Sequence, residues 1–67
     1  MISEDIQEIR KHLKQAEDDF EHLMASLIIF KKPELDSLLD QIITSIIDAN
    51  NKCQWLEASI QNIKKKL

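Results

Sequence analysis

Ser26-Leu27-Ile28-Ile29-Phe30-Lys31-Lys32-Pro33-Glu34-Leu35-Asp36, SLIIFKKPELD, divides the chain into two halves. Four large apolar residues precede two lysines and the only proline. Proline disfavours helical geometry in the residue before it, so a helix arriving from the left is broken near Lys32. Proline also suits the first turn of a new helix, where its missing N–H would be unpaired in any case. Glu34 and Asp36 then place acid at a helix start, and Lys31 and Lys32 place cations at a helix end, both as the helix dipole favours.

To the left of this break the apolar residues Ile2, Ile6, Ile9, Leu13, Ala16, Phe20, Leu23, Leu27 and Phe30 recur in alternating steps of four and three. To the right, Leu35, Leu39, Ile42, Ile46, Ala49, Cys53, Leu56, Ile60, Ile63 and Leu67 do the same. This is the heptad spacing of a helix with one narrow apolar seam. Ser3 is placed to cap the first helix, with Glu4 and Asp5 in its first turn. Lys64, Lys65 and Lys66 close the second with cations. The spacing predicts helices over about 3–31 and 33–66 in a single domain, residues 1–67. The fold class is all-α, and the short connection favours an antiparallel, coiled-coil-like hairpin. The chain has no glycine for the left-handed position that usually ends a helix. The alternative is one long helix kinked at Pro33.

Composition supports helices and narrows function. The chain has 67 residues and a formal net charge of −3. An acidic balance argues against a general nucleic-acid binder. The longest apolar run, Leu27 to Phe30, is far below the roughly 20 residues needed to span a bilayer. The N-terminus MISEDIQEIR has no apolar signal core, and the lone thiol, Cys53, fits a reducing setting, so a cytoplasmic location is expected. Below about 70–80 residues a single core rarely supplies more than about 3–5 kcal/mol. No disulfide within the chain and no zinc-type Cys/His spacing reinforces it, so support from another chain is expected.

The two seams leave apolar residues over. At 100° per residue Met24 and Ile28 flank the first seam and Ile29 lies opposite it. Leu38, Ile43 and Ile47 are also unaccounted for, and Trp55 falls nearly on the far side of the second seam. Grouped apolar surface marks an interaction site, and tryptophan is enriched where interfaces are strongest. Met24, Ile28, Ile29, Leu38, Ile43, Ile47 and Trp55 are therefore the candidate partner-binding residues. The partner is another protein or a second copy, the latter forming a four-helix bundle.

Little else carries chemistry. His12 and His22 lie roughly 15 Å apart along one helix, too far to share a metal. Asp19 and His22 have the carboxylate–histidine spacing of di-iron bundles, but the matching inward glutamates are missing. Glu17 to Glu21, EDDFE, reads as a solvated face. Cys53 reads as a small core residue. No nucleophile–base pair or glycine-rich phosphate loop is present, so neither an enzyme nor a cofactor is expected.

The stretch Gln54 to Ile63, QWLEASIQNI, resembles the YscE-like needle co-chaperones of type III secretion. These are small acidic helical hairpins whose second helix carries a similar Leu-Glu-x-x-Ile pattern, here Leu56, Glu57 and Ile60. The resemblance implies a cytosolic chaperone for protein transport in virulence. It would pair with a tetratricopeptide-type chaperone and hold the needle subunit unpolymerised before export. Lys32 to Asp36, KPELD, is similar to the Ser-Gln-Glu-Leu-Asp motif of small sporulation phosphatases that act on response-regulator aspartyl phosphates. Glu34, Leu35 and Asp36 match, and Lys32 and Pro33 replace Ser and Gln. In size and topology the chain is also similar to homodimeric RNA-binding four-helix bundles, which need a basic face that is acidic here.

Overall fold

The computed structural model describes residues 2–66, and Met1 and Leu67 lie outside the described residues. Helix α1 runs over Ile2–Leu27, and a single 3-10 turn, Ile28–Phe30, follows it. Helix α2 runs over Pro33–Lys66 and packs antiparallel to α1 as a hairpin, with no strand among the described residues. The molecule is long and flat, its Cα atoms spanning 55 × 16 × 9 Å.

The turn is made without glycine. The last turn of the first helical segment tightens from α to 3-10 geometry over Ile28–Phe30, a common way for a helix to end. Lys31 then adopts the left-handed conformation, at φ 51° and ψ 45°. Its backbone N–H donates to the Ile28 carbonyl at 3.2 Å. A residue with a Cβ in that conformation costs about 1–2 kcal/mol. The Lys32 carbonyl accepts from the N–H groups of Leu35, at 3.0 Å, and Asp36, at 3.4 Å. Lys32 thus starts α2, and Pro33 occupies the first helical position, where no donor is missed. Glu34 and Asp36 sit in the first turn of α2 and Lys64, Lys65 and Lys66 in its last.

Two boundaries differ from the expected ones. Helix α1 begins at Ile2, so Ser3 lies inside it rather than capping it. It ends at Leu27, so Lys31 and Lys32 stand beyond its last turn.

The core is thin. Among the described residues Ile6, Leu39 and Ile43 are buried. Leu13, Phe20, Met24, Leu27, Leu35, Ile46, Cys53 and Ile60 are half-buried around them. Half of each expected seam faces the other helix, and the other half does not. Ile2, Ile9, Leu23 and Phe30 of the first seam are exposed, as are Ile42, Leu56 and Ile63 of the second. Arg10, Glu17 and Met24 are half-buried in their stead on α1, as are Asn50 and Glu57 on α2, where Ile43 is buried. Both helices are rotated by about one position of the heptad wheel from the expected facing. Leu67, the last expected seam residue, lies outside the described residues.

The rotation has a visible anchor. Arg10 Nε donates to Asn50 Oδ1 at 2.8 Å across 40 residues of sequence. Arginine can lay its apolar stem on the core while its head reaches a partner, and a hydrogen bond of this kind contributes about 0.5–1.5 kcal/mol net. The arrangement also carries a cost, because Glu57 Oε2 is buried without a hydrogen-bond partner.

Glycine removes the Cβ conflict at the turn. Lys31→Gly is expected to stabilise the hairpin by about 1 kcal/mol. For a domain of this size that raises the thermal midpoint by about 4–8 °C. Thermal unfolding followed by far-UV circular dichroism, at equal protein concentration, checks it, and a lowered midpoint would contradict the turn geometry.

Candidate protein-interaction surface

The seven residues singled out from the sequence do not form one patch. Ile43 is 8% exposed and belongs to the core. Its expected place on the surface is corrected by the rotation of α2, which turns Ile43 inward and Ile42 outward. Met24 is half-buried between the helices for the same reason on α1. Ile28, Ile29, Leu38, Ile47 and Trp55 are exposed.

Three separate surfaces result. At the tip, Ile28, Ile29 and Phe30 project from the 3-10 turn, and Ile29 is 75% exposed. Met24, Ala25 and Ile28 also line an open groove whose far bank is Asp36 and Asp40 of α2. Trp55, 68% exposed, lies far from the tip, on the outer side of α2.

The third surface is one that sequence reasoning assigned to the interior. Ile2, Ile9, Ala16 and Leu23 of α1, continued by Phe30 of the 3-10 turn, lie seven residues apart, as do Leu35, Ile42, Ala49, Leu56 and Ile63 on α2; Ala16, Leu35 and Ala49 are half-buried and the others exposed. Residues seven apart share a line along a helix. In an antiparallel pair rotated as this one is, the two lines fall on the same broad side. An open groove on that side is floored by Leu13 and Ile46 and walled by Leu38, Ile42 and Ala49. The signal was present as the full width of each heptad stripe, which exceeds what a single neighbouring helix covers.

The opposite broad side is polar near its middle. Arg10, Lys14 and Asn50 line a groove there with Gln7 and Lys11. Lys14 Nζ lies 3.5 Å from Glu17 Oε2 and 3.6 Å from Asp18 Oδ1. The charges of Glu17, first, and of Asp18 raise the Lys14 pKa above its ordinary value. Glu17, Asp18 and Glu21 bring three carboxylates together, with the Lys14 ammonium beside two of them. His12 Nε2 lies 3.9 Å from Glu8 Oε1 on exposed α1 surface. Asp48 and Lys52 pair at 3.0 Å. Solvent screens surface pairs of this kind, so they add little to stability. Glu34 and Asp36, the matching acids of the phosphatase-like motif, are exposed in the first turn of α2.

No helix among the described residues is long and apolar enough to cross a membrane. No protein-family model, curated protein or solved structure matches the chain.

The reassignment of neighbouring isoleucines gives a direct contrast. Ile43→Ala is expected to cost about 2–5 kcal/mol, as for other buried isoleucines. Ile47→Ala, on exposed surface, is expected to change stability by about 0.5 kcal/mol or less. Urea unfolding of both variants at one protein concentration checks the order, and equal losses would contradict the facing of α2.

Proposed function

We propose that the protein is a small, non-catalytic, protein-binding adaptor that acts by completing the apolar core of a helical partner. One observation carries this reading. Among the described residues, twelve large apolar side chains are exposed and three are buried. Single exposed hydrophobes are ordinary, but contiguous ones mark interaction surfaces. The most exposed aliphatic group, Ile28 and Ile29, stands on the tip, next to a groove bordered by Asp36 and Asp40. An amphipathic or basic helix laid across this end would meet apolar contacts and carboxylates together.

The similarity of Leu56, Glu57 and Ile60 to the YscE-like pattern gives the reading a specific form. In that form the partner is a tetratricopeptide-type chaperone, whose groove accepts helical faces, and the shared client is a needle subunit kept unpolymerised until export. The long, flat shape is compatible with lying along such a groove.

Affinity purification from the native host, with identification and repurification of the bound protein, provides the test. A purified helical partner is expected to bind the wild-type protein. Ile29→Glu is expected to weaken binding by about 100-fold, the scale of a strong interface residue, with helicity unchanged. No reproducible partner, or one that binds the Ile29→Glu variant equally well, would overturn the adaptor reading.

A further inference from the structure

We infer that the broad apolar side of the hairpin is covered by a second copy of the same chain, forming an antiparallel four-helix bundle. This deepens the adaptor reading by giving the broad side to self-association and leaving the tip for the other protein.

The first argument is area. A compact monomer of 7.8 kDa is expected to expose roughly 4,400 Å2. The hairpin exposes 5460 Å2. The excess, roughly 1,100 Å2, exceeds the roughly 800 Å2 that each partner buries in a standard stable interface. The broad side, whose Cα atoms alone span 55 × 16 Å, is large enough for an interface of that standard size.

The second argument is pattern. The lines Ile2, Ile9, Ala16, Leu23, Phe30 and Leu35, Ile42, Ala49, Leu56, Ile63 run the length of both helices without a charge. In a four-helix bundle each helix contacts two neighbours, and the apolar stripe widens to reach both. One neighbour is present and takes Ile6, Leu39 and Ile43. The unused half of each stripe faces the direction in which the second neighbour would lie. A two-fold pair needs a surface that complements itself, and an uncharged apolar surface with small residues at Ala16 and Ala49 satisfies that.

The third argument is charge at the edges. One heptad position outward, the α1 edge carries Asp5, His12, Asp19 and Ser26, and the α2 edge Leu38, Ser45, Lys52, Ser59 and Lys66. Lys52 also pairs with Asp48 on its own helix. A two-fold axis parallel to the helices lays α1 of each copy on α2 of the other, acidic edge to basic edge. The perpendicular axis would set the acidic edge against itself. The parallel axis makes all neighbouring helices antiparallel and brings both tips to one end.

Sedimentation equilibrium of the purified protein, with no other protein present, tests the inference. The expected mass is twice the 7.8 kDa of one chain. Ile9→Glu and Leu56→Glu are each expected to shift the mass to that of one chain, whereas Ile29→Glu is expected to leave the dimer intact. A wild-type mass of one chain at micromolar concentrations overturns the inference even if a different protein binds the tip. A dimer insensitive to both broad-side variants also overturns it. Lys32→Cys in a Cys53→Ser background, spin-labelled at the tip, reports the axis. Labels within roughly 20 Å, two helix spacings, are expected. A separation near the 55 Å length of the molecule overturns the parallel axis.

Discussion

Two packed helices can hide from water only the stripe that each turns toward the other. In this protein both helices carry apolar stripes wider than that contact, so some apolar residues must be left outside. The structure resolves the choice by rotation. Ile43 and Met24 turn inward with Arg10 and Asn50, and Ile9, Leu23, Ile42 and Leu56 turn outward. The exposed surfaces, the grooves along the hairpin and the thinness of the core all follow from that division.

The turn is subject to a second constraint. Proline at the head of α2 disfavours a straight continuous helix, and the chain has no glycine to end α1. A 3-10 turn and a left-handed lysine close the gap within a few residues. The conformational cost at Lys31 is offset by the backbone bond to Ile28 and by the antiparallel packing that so short a connection permits. The same tight closure presents Ile28, Ile29 and Phe30 at the end of the rod. There a two-helix structure has no third layer to cover them.

The fold was legible because heptad spacing points to two helices and the short Lys-Lys-Pro break favours an antiparallel return over one kinked helix. The helix pair, its antiparallel sense and the position of Pro33 were read from those signals alone. The facing of the helices was not. A stripe containing Ile42 and Ile43, or Leu23 and Met24, fits two rotations about one heptad-wheel position apart, and spacing is indifferent between them. The rotation is marked by a polar pair 40 residues apart, Arg10 and Asn50, which no local pattern links. This accounts for the misplacing of Ile43 on the surface and for the broad apolar side being read as interior. Ile28, Ile29 and Trp55 were read as exposed because they lie off the stripe under either rotation.

Polar residues at the interface decide between rotations at some cost in stability. Arg10 Nε and Asn50 Oδ1 satisfy one another, whereas Glu57 Oε2 is buried without a hydrogen-bond partner, which weakens the packing. A core of this size rarely supplies more than about 3–5 kcal/mol. The isolated hairpin is therefore close to the limit of stability. Anything that binds only its folded form raises its stability in proportion to the logarithm of the binder's concentration. Folding and association are thus coupled by the same apolar residues: covering the broad side or the tip also holds α1 on α2. A hairpin that buried all of its apolar stripe would be free of this coupling, and would have no apolar surface left with which to bind.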